Sequence, residues 1–383
     1  MAVVSRRGFL RSAAALPWMV ESVMAQMTDG GELLLMGTQT SGTSEGIYAY
    51  RFDPKSGELM QIGLAAAAKM PTFLTLAPDG RSVFAVNELE EFAGKKSGGV
   101  TGFSVRQGGV KLAEVNQVPS LGGAPCHVAM DKTGRCVFVA NYNGGSAASF
   151  LVGADGRLSE AVSFFQYKGS GPDKARQMGP HAHRVMVSPD NRFVMVNDLG
   201  LDAIHVYKLD AKTATLTPHE PAVWHATPGS GPRALQFHPN GKWAYCVTEM
   251  KSTVCLLHWD AAKGVLETVQ EVPLLPVGYT GETGASDIVL DRAGRFAYVA
   301  NRLNDFMATF TVAADGRLTL VERTSCGGKV PRHLTLDKTE RWLLVANQET
   351  DNIAVFARDE KTGKLAKDGK SFPISRPQCF VWM

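Results

Sequence analysis

PRALQFHPNGKWAYCVT, residues 232–248, is a short apolar run, a turn of the Pro-Asp-Gly-Arg kind, and a second apolar run that ends on a polar residue. The same phrase occurs at 71–87 (PTFLTLAPDGRSVFAVN), 125–141 (PCHVAMDKTGRCVFVAN) and 181–197 (HAHRVMVSPDNRFVMVN). It returns at 285–301 (ASDIVLDRAGRFAYVAN) and 331–347 (PRHLTLDKTERWLLVAN). A strand-rich unit recurring at roughly 50 residues marks the blade of a β-propeller, and a repeat of this length decides the fold ahead of any local propensity.

Each unit continues beyond the phrase. After 234–237 and 243–247, residues 254–259 read as a third strand and 265–269 as a fourth, beyond the turn Ala262-Lys263-Gly264. Alternating apolar and polar residues between Gly, Asn and Asp turns are what antiparallel strands need. Six full units are visible, and the chain ends supply a seventh. Residues 376–381 match a first strand, whereas 32–37, 46–52 and 59–62 match a second, third and fourth. The expected fold is therefore all-β: a seven-bladed propeller of four-stranded antiparallel blades, closed by the C-terminal strand joining the N-terminal three. Closure removes the open edges that invite aggregation. Longer connections at 88–99, 168–180 and 273–284 break the regularity, and long loops on a rigid scaffold are where binding concentrates.

The bulk numbers narrow the function classes. A chain of 383 residues with 44% hydrophobic content can bury an ample core, and a propeller adds blades without a domain break. The formal net charge is +3, with acidic and basic residues interspersed; no basic stripe points to nucleic acid. No apolar stretch is long enough to span a bilayer, so stable membrane insertion is not expected. Residues 1–26 read as a leader. Ser5-Arg6-Arg7-Gly8-Phe9-Leu10 is a twin-arginine pattern, 13–20 is weakly apolar, and Val23-Met24-Ala25 offers a cut after Ala25. Residues 27–383 would then be exported folded by the twin-arginine machinery, as a single domain acting in the periplasm or outside the cell. The six cysteines show no metal spacing. Cys246 and Cys255 should face each other across the hairpin turning at Met250-Lys251, as a cross-strand disulfide or, preferably, as two small buried hydrophobes.

The repeat also supplies coordinates. First strands line a propeller's channel, so residues at equivalent points of the phrase must converge on one axis. The third position reads Phe73, His127, His183, Ala234, Asp287, His333 and Cys379. The position before it reads Thr72, Cys126, Ala182, Arg233, Ser286, Arg332 and Gln378. The residue after the second strand reads Glu88, Tyr142, Asp198, Glu249, Arg302 and Gln348. All three sets are expected near one mouth, which is dense in ionisable groups. His181 and His183 fall on the same side of a strand. Arg233 and Glu249 come from adjacent strands of one blade. Arg233 with Arg302 suits an anionic substrate, and a nearby histidine or glutamate can manage a proton at neutral pH. A metal held by His181 and His183 with Asp198 or Asp287 is disfavoured, because the arginines would repel a cation. There is no Gly-x-Ser-x-Gly elbow and no Gly-rich loop opening a helix, so neither a serine triad nor a nucleotide cofactor is expected.

At these residues the chain resembles the seven-bladed β-propeller lactonases, which include propeller-type 6-phosphogluconolactonases and carboxy-muconate lactonising enzymes. The resemblance runs from about residue 31 to 381. Its most specific segments are Gly169-Ser170-Gly171-Pro172, Arg176-Gln177, Pro180-His181-Ala182-His183, Asn197-Asp198-Leu199-Gly200 and Gly231-Pro232-Arg233. Glu249, Ala285-Ser286-Asp287-Ile288, Asn301-Arg302, Pro331-Arg332-His333 and Ala346-Asn347-Gln348 complete the set. The resemblance implies a catalytic group of His183 (or His181), Arg233, Glu249 and Arg302. His181, Asp198, Asp287, His333, Arg332 and Gln348 would contact substrate or orient the histidines. The family pattern often carries His where this chain has Ala234. What it implies is hydrolysis of a sugar lactone without cofactor or metal, the substrate being 6-phosphogluconolactone or an unphosphorylated aldonolactone. A muconate-type cycloisomerase and a non-catalytic exported binding propeller are the alternatives.

Overall fold

The repeat folds as its alternation requires. In the computed structural model, which describes residues 31–383, blade four consists of Pro232–Phe237, Trp243–Thr248, Thr253–Asp260 and Val265–Pro273, paired antiparallel in chain order. The turn between its first two strands places Gly241 at φ +70°, a conformation glycine adopts without steric cost. Asn191 fills the same place in blade three at φ +61°. Seven such four-stranded sheets close the ring; a further two-stranded ribbon, Glu91–Phe92 with Lys95–Lys96, lies within the 88–99 connection.

The burial pattern explains the strand compositions. Second strands such as Cys136–Asn141 and Phe296–Asn301 are buried at every residue, since both faces meet neighbouring blades. Outer strands such as Leu158–Gln166 alternate, because one face meets solvent. The core therefore lies between blades. Met195 and Trp224 of blade three, for example, pack with Leu235, Cys246 and Trp259 of blade four. Cys246 and Cys255 are opposed in register, and both are buried free thiols, as are the other four cysteines. They serve the core as small hydrophobes.

The seventh blade is built from both ends of the chain. Its order is Glu58–Ala67, Gly46–Asp53, Glu32–Thr38 and Pro377–Trp382, with Leu35 opposite Val381 and Met36 opposite Phe380. Phe380 packs with Leu344 and Ile353 of blade six, whereas Cys379 packs with Leu74 of blade one. The closing strand thus joins the cores on both sides. The expected leader lies outside the described residues. Among the described residues no helix is long and apolar enough to cross a membrane.

Candidate active site

Six of the seven first strands open with the same irregularity. In blade two Pro125 pairs with Asn141 and His127 with Ala140, so Cys126 is left out of the ladder. The same shift leaves out His183, Arg233, Arg332 and Gln378 in their blades, and Ser286 with Asp287 in blade five. A bulge of this kind re-aims the extra residue, here toward the axis. These six copies therefore deliver two stacked layers: the bulged residues at the mouth and the following residues beneath them.

Blade three corrects the sequence alignment by one residue. Its first pair is Ala182 with Asp198, equivalent to Pro125 with Asn141, so the phrase runs 182–198. His183 consequently belongs with Arg233 and Arg332 in the mouth layer, and Arg184 takes the place beneath. Asp198 is the last residue of its strand, not the one after it. Its Oδ1 accepts the backbone N–H groups of His181 (2.8 Å), Gly200 (2.9 Å) and Leu201 (3.1 Å), and the side chain is fully buried. Asp198 holds the turn and does not reach the mouth.

Glu249 stands at the centre of the charged group. Arg302 Nη2 lies 2.7 Å from its Oε2 and Arg233 Nε 2.9 Å from the same oxygen. Arg176 Nη2 reaches Oε1 at 2.6 Å. Arg233 is further fixed by donating from Nη1 to the Ser286 carbonyl. Burial pushes the Glu249 carboxyl up, but Arg302, Arg233 and Arg176 outweigh it, and the group is held down at about 2. It is ionised and a poor base. Arg176 arrives from the 168–180 loop. The neighbouring Gln177 is fully buried and donates to the Leu199 carbonyl (2.8 Å) and Asp202 (2.9 Å), which fixes the loop from which Arg176 reaches out.

A narrow recess of about 20 Å³, room for about one water, lies beside this group and is lined in part by Thr72, Glu88, His183, Arg233, Arg332 and Gln378. Burial, followed by the fields of Arg233, Arg332, Arg302 and Arg184, pushes the His183 imidazole well below its ordinary value, so it is neutral at neutral pH. Tyr142 meets His183 edge-on, with ring centroids 5.5 Å apart. Glu88 accepts a hydrogen bond from the Thr72 hydroxyl at 2.5 Å. Arg332 Nε donates to Gln378 Oε1 at 3.1 Å.

The layer beneath is a floor. Arg184 crosses to Asp287 at 2.7 Å, both side chains less than a tenth exposed; Ala234 occupies the equivalent place in the blade between them. Asp287 also accepts the Leu334 N–H (3.0 Å) and faces His333 Nε2 at 3.7 Å. Burial acts against its charge, but Arg184 and His333 keep its carboxyl below the usual range. Phe73 packs against His127 at a tilt, with ring centroids 4.0 Å apart, and meets His333 edge-on at 5.4 Å.

The sequence-derived set thus separates. Arg233, Glu249 and Arg302 come together, with His183 and Arg332 on the adjoining recess. Asp287 and His333 lie in the floor. His181 stacks on Tyr142 (4.6 Å) with Nδ1 3.1 Å from the Tyr142 carbonyl, outside the recess lining. Gln348 donates to Glu349 at 2.8 Å and is not part of the recess lining. Sequence reasoning gave no role to Arg184, Arg176, Glu88 or Thr72. Arg184 was hidden by the one-residue offset, although aligning Arg192 with Arg135 and Arg295 after the turn reveals it. Among the described residues no cluster of three His, Cys, Asp or Glu side chains is arranged to hold a metal ion.

The fold and site together define a seven-bladed propeller with an arginine-rich mouth gathered around one carboxylate. The chain belongs to the family described as lactonase, 7-bladed beta-propeller, whose model matches residues 33–382. It is 34% identical to a 6-phosphogluconolactonase of Bacillus subtilis over 349 residues, covering 91% of this chain and 97% of the relative. A 6-phosphogluconolactonase of Formosa agariphila is 31% identical, covering 84% and 91% of the two chains. Among solved structures, a periplasmic gluconolactonase of Pseudomonas aeruginosa superposes with a TM-score of 0.87 at 35% identity, covering 92% of this chain and 99% of that one.

Proposed function

We propose that this protein hydrolyses a sugar lactone to its acid at the Glu249 mouth, without a metal or organic cofactor. The observation that carries the reading is the charge arrangement there. Four guanidiniums, those of Arg176, Arg233, Arg302 and Arg332, face the Glu249 carboxylate and the Glu88 carboxyl group around a neutral imidazole. Such a site favours negative charge, whether carried by the substrate or developing on a carbonyl oxygen as water adds. Arg233 and Arg302, held in place by Glu249, stabilise that oxyanion. His183 accepts the proton of the attacking water, a contribution on the order of 10²–10⁴-fold. Glu249 is too weak a base for this task and serves as the arginines' anchor. The names of the relatives support sugar lactones as the class, and both phosphorylated and unphosphorylated rings suit the charge. The twin-arginine pattern, together with the Pseudomonas relative, favours action in the periplasm on an unphosphorylated aldonolactone.

A pH-stat assay on glucono-δ-lactone and 6-phosphogluconolactone tests the proposal, with Arg233→Ala as control. Wild-type opening of at least one lactone well above the spontaneous rate, lost in the variant, is expected. If neither lactone opens faster than background, the assignment fails.

A further inference from the structure

Glu88 and Glu249 occupy the same point of the repeat, directly after the second strand, in blades one and four of the ring. Equivalent positions three blades apart face one another across the mouth. Their surroundings differ sharply. Glu249 is saturated by three guanidiniums, whereas among the described residues Glu88 makes no ion pair and is held by the Thr72 hydroxyl alone. Glu88 lines the same narrow recess as His183 and Arg233, so its carboxyl borders the place of the proposed water, over which the lactone must sit. Opening a lactone needs two proton transfers: one from the attacking water, one to the ring oxygen as it leaves. The proposed reading supplies only the first.

We propose that Glu88 is the general acid of the reaction, donating its carboxyl proton to the ring oxygen as the acyl C–O bond breaks. The inference rests on the lactonase reading above. In the full step a water oxygen bonds to the carbonyl carbon and its proton passes to His183. The tetrahedral intermediate collapses, the ring C–O bond breaks, and the departing oxygen takes the Glu88 proton to become a hydroxyl. The His183 imidazolium then returns a proton to the Glu88 carboxylate through solvent. The sum is one water consumed and one hydroxy acid formed.

The electrostatics favour this division of labour. Burial raises the Glu88 carboxyl above its ordinary value, with Arg332, the Thr72 hydroxyl and Arg233 partly offsetting that rise and Glu90 adding to it. The neighbouring Cys126 thiol is itself pushed up by burial and is neutral. His183 moves the opposite way. Both displacements act toward the state in which His183 is unprotonated while Glu88 keeps its proton, and paired groups shifted in this sense mark an acid and a base.

The test is the pH dependence of kcat/KM on whichever lactone the wild type opens. In Glu88→Gln, kcat should fall about 100-fold with KM changed less than about 3-fold, and the alkaline limb of the profile should vanish. Thr72→Val removes the hydroxyl that stabilises the Glu88 carboxylate, so it should move the alkaline limb to higher pH. Circular dichroism melts accompany both variants. A Glu88→Gln enzyme within 3-fold of wild type, or one that keeps the alkaline limb, overturns the proposal, as does a Thr72→Val limb that stays in place. Should Glu88→Gln fail to fold, the Thr72→Val profile decides alone. A wild type inactive on both lactones would overturn this inference and the lactonase reading together; an active wild type with an indifferent Glu88 overturns only this inference.

Discussion

Replacing Glu249 by Gln keeps the shape of the anchor and removes its charge, leaving three arginines around a neutral amide. The Glu249 side chain is 4% exposed, so solvent screens little of the effect. Its carboxyl is held at about 2 against an ordinary 4.5. That gap corresponds to about 3 kcal/mol of stability at neutral pH. Losing one side of a buried ion pair independently costs about 3–5 kcal/mol, so the two routes agree. The unfolding entropy of a domain of roughly 350 residues is ~0.7 kcal/mol per kelvin. Glu249→Gln should therefore melt about 4 °C below wild type at pH 7. The sign with pH follows from the depressed value. Stabilisation is complete above pH 4.5 and is lost as pH falls toward 2, so the gap at pH 3 should be less than half that at pH 7. Differential scanning calorimetry at the two pH values measures both. Equal melting temperatures at pH 7, or a full gap surviving at pH 3, would refute the claim that Glu249 is the arginines' charged anchor.

Other perturbations probe the rest of the architecture. Removing residues 376–383 withdraws Cys379 and Phe380 from the cores on either side and unpairs Glu32–Thr38; the product should be aggregated or unfolded by size-exclusion chromatography and circular dichroism. Arg184→Met strands Asp287 in the floor and should cost about 3–5 kcal/mol in urea titration, most of which Arg184→Met with Asp287→Leu should recover. Gly231 has φ +66°, and an added Cβ would lie 3.0 Å from Leu199 and Met250; Gly231→Ala should lose more than about 1 kcal/mol and lower kcat, because the Glu249 N–H donates to its carbonyl. Chelator should leave lactone hydrolysis unchanged.

Most of the ring was legible because periodicity is a property of many residues at once. The strands of blade four, and the return of 376–381 beside 32–37, follow from alternation and turns that no single residue can mislead. The mouth is different, since one residue of offset decides what lines it. In blade three the run Pro180-His181-Ala182-His183 resembles the other openings closely enough to hide the true start at Ala182. That offset put Asp198 at the mouth, where the structure has it fixing a turn, and concealed Arg184. Arg176 stood in a family-like segment, but its role was out of reach for another reason. It comes from a loop whose shape depends on the buried Gln177, and repeat alignment says nothing about such a loop. Glu88 stood in the aligned set from the start, but its contrast with Glu249 depends on which arginines each one meets.

The split blade also sets an order of events during synthesis. Strand Glu32–Thr38 is made early, and its partner Pro377–Trp382 follows about 340 residues later. At translation rates of about 5–20 residues per second, the first strand waits roughly 17–70 s with an unpaired edge. The six other blades have their strands contiguous and can form as they emerge. Gln378, which holds Arg332 at the mouth, arrives on that last strand. Ring closure therefore also delivers the residue that holds Arg332, the last part of the charged mouth to be made.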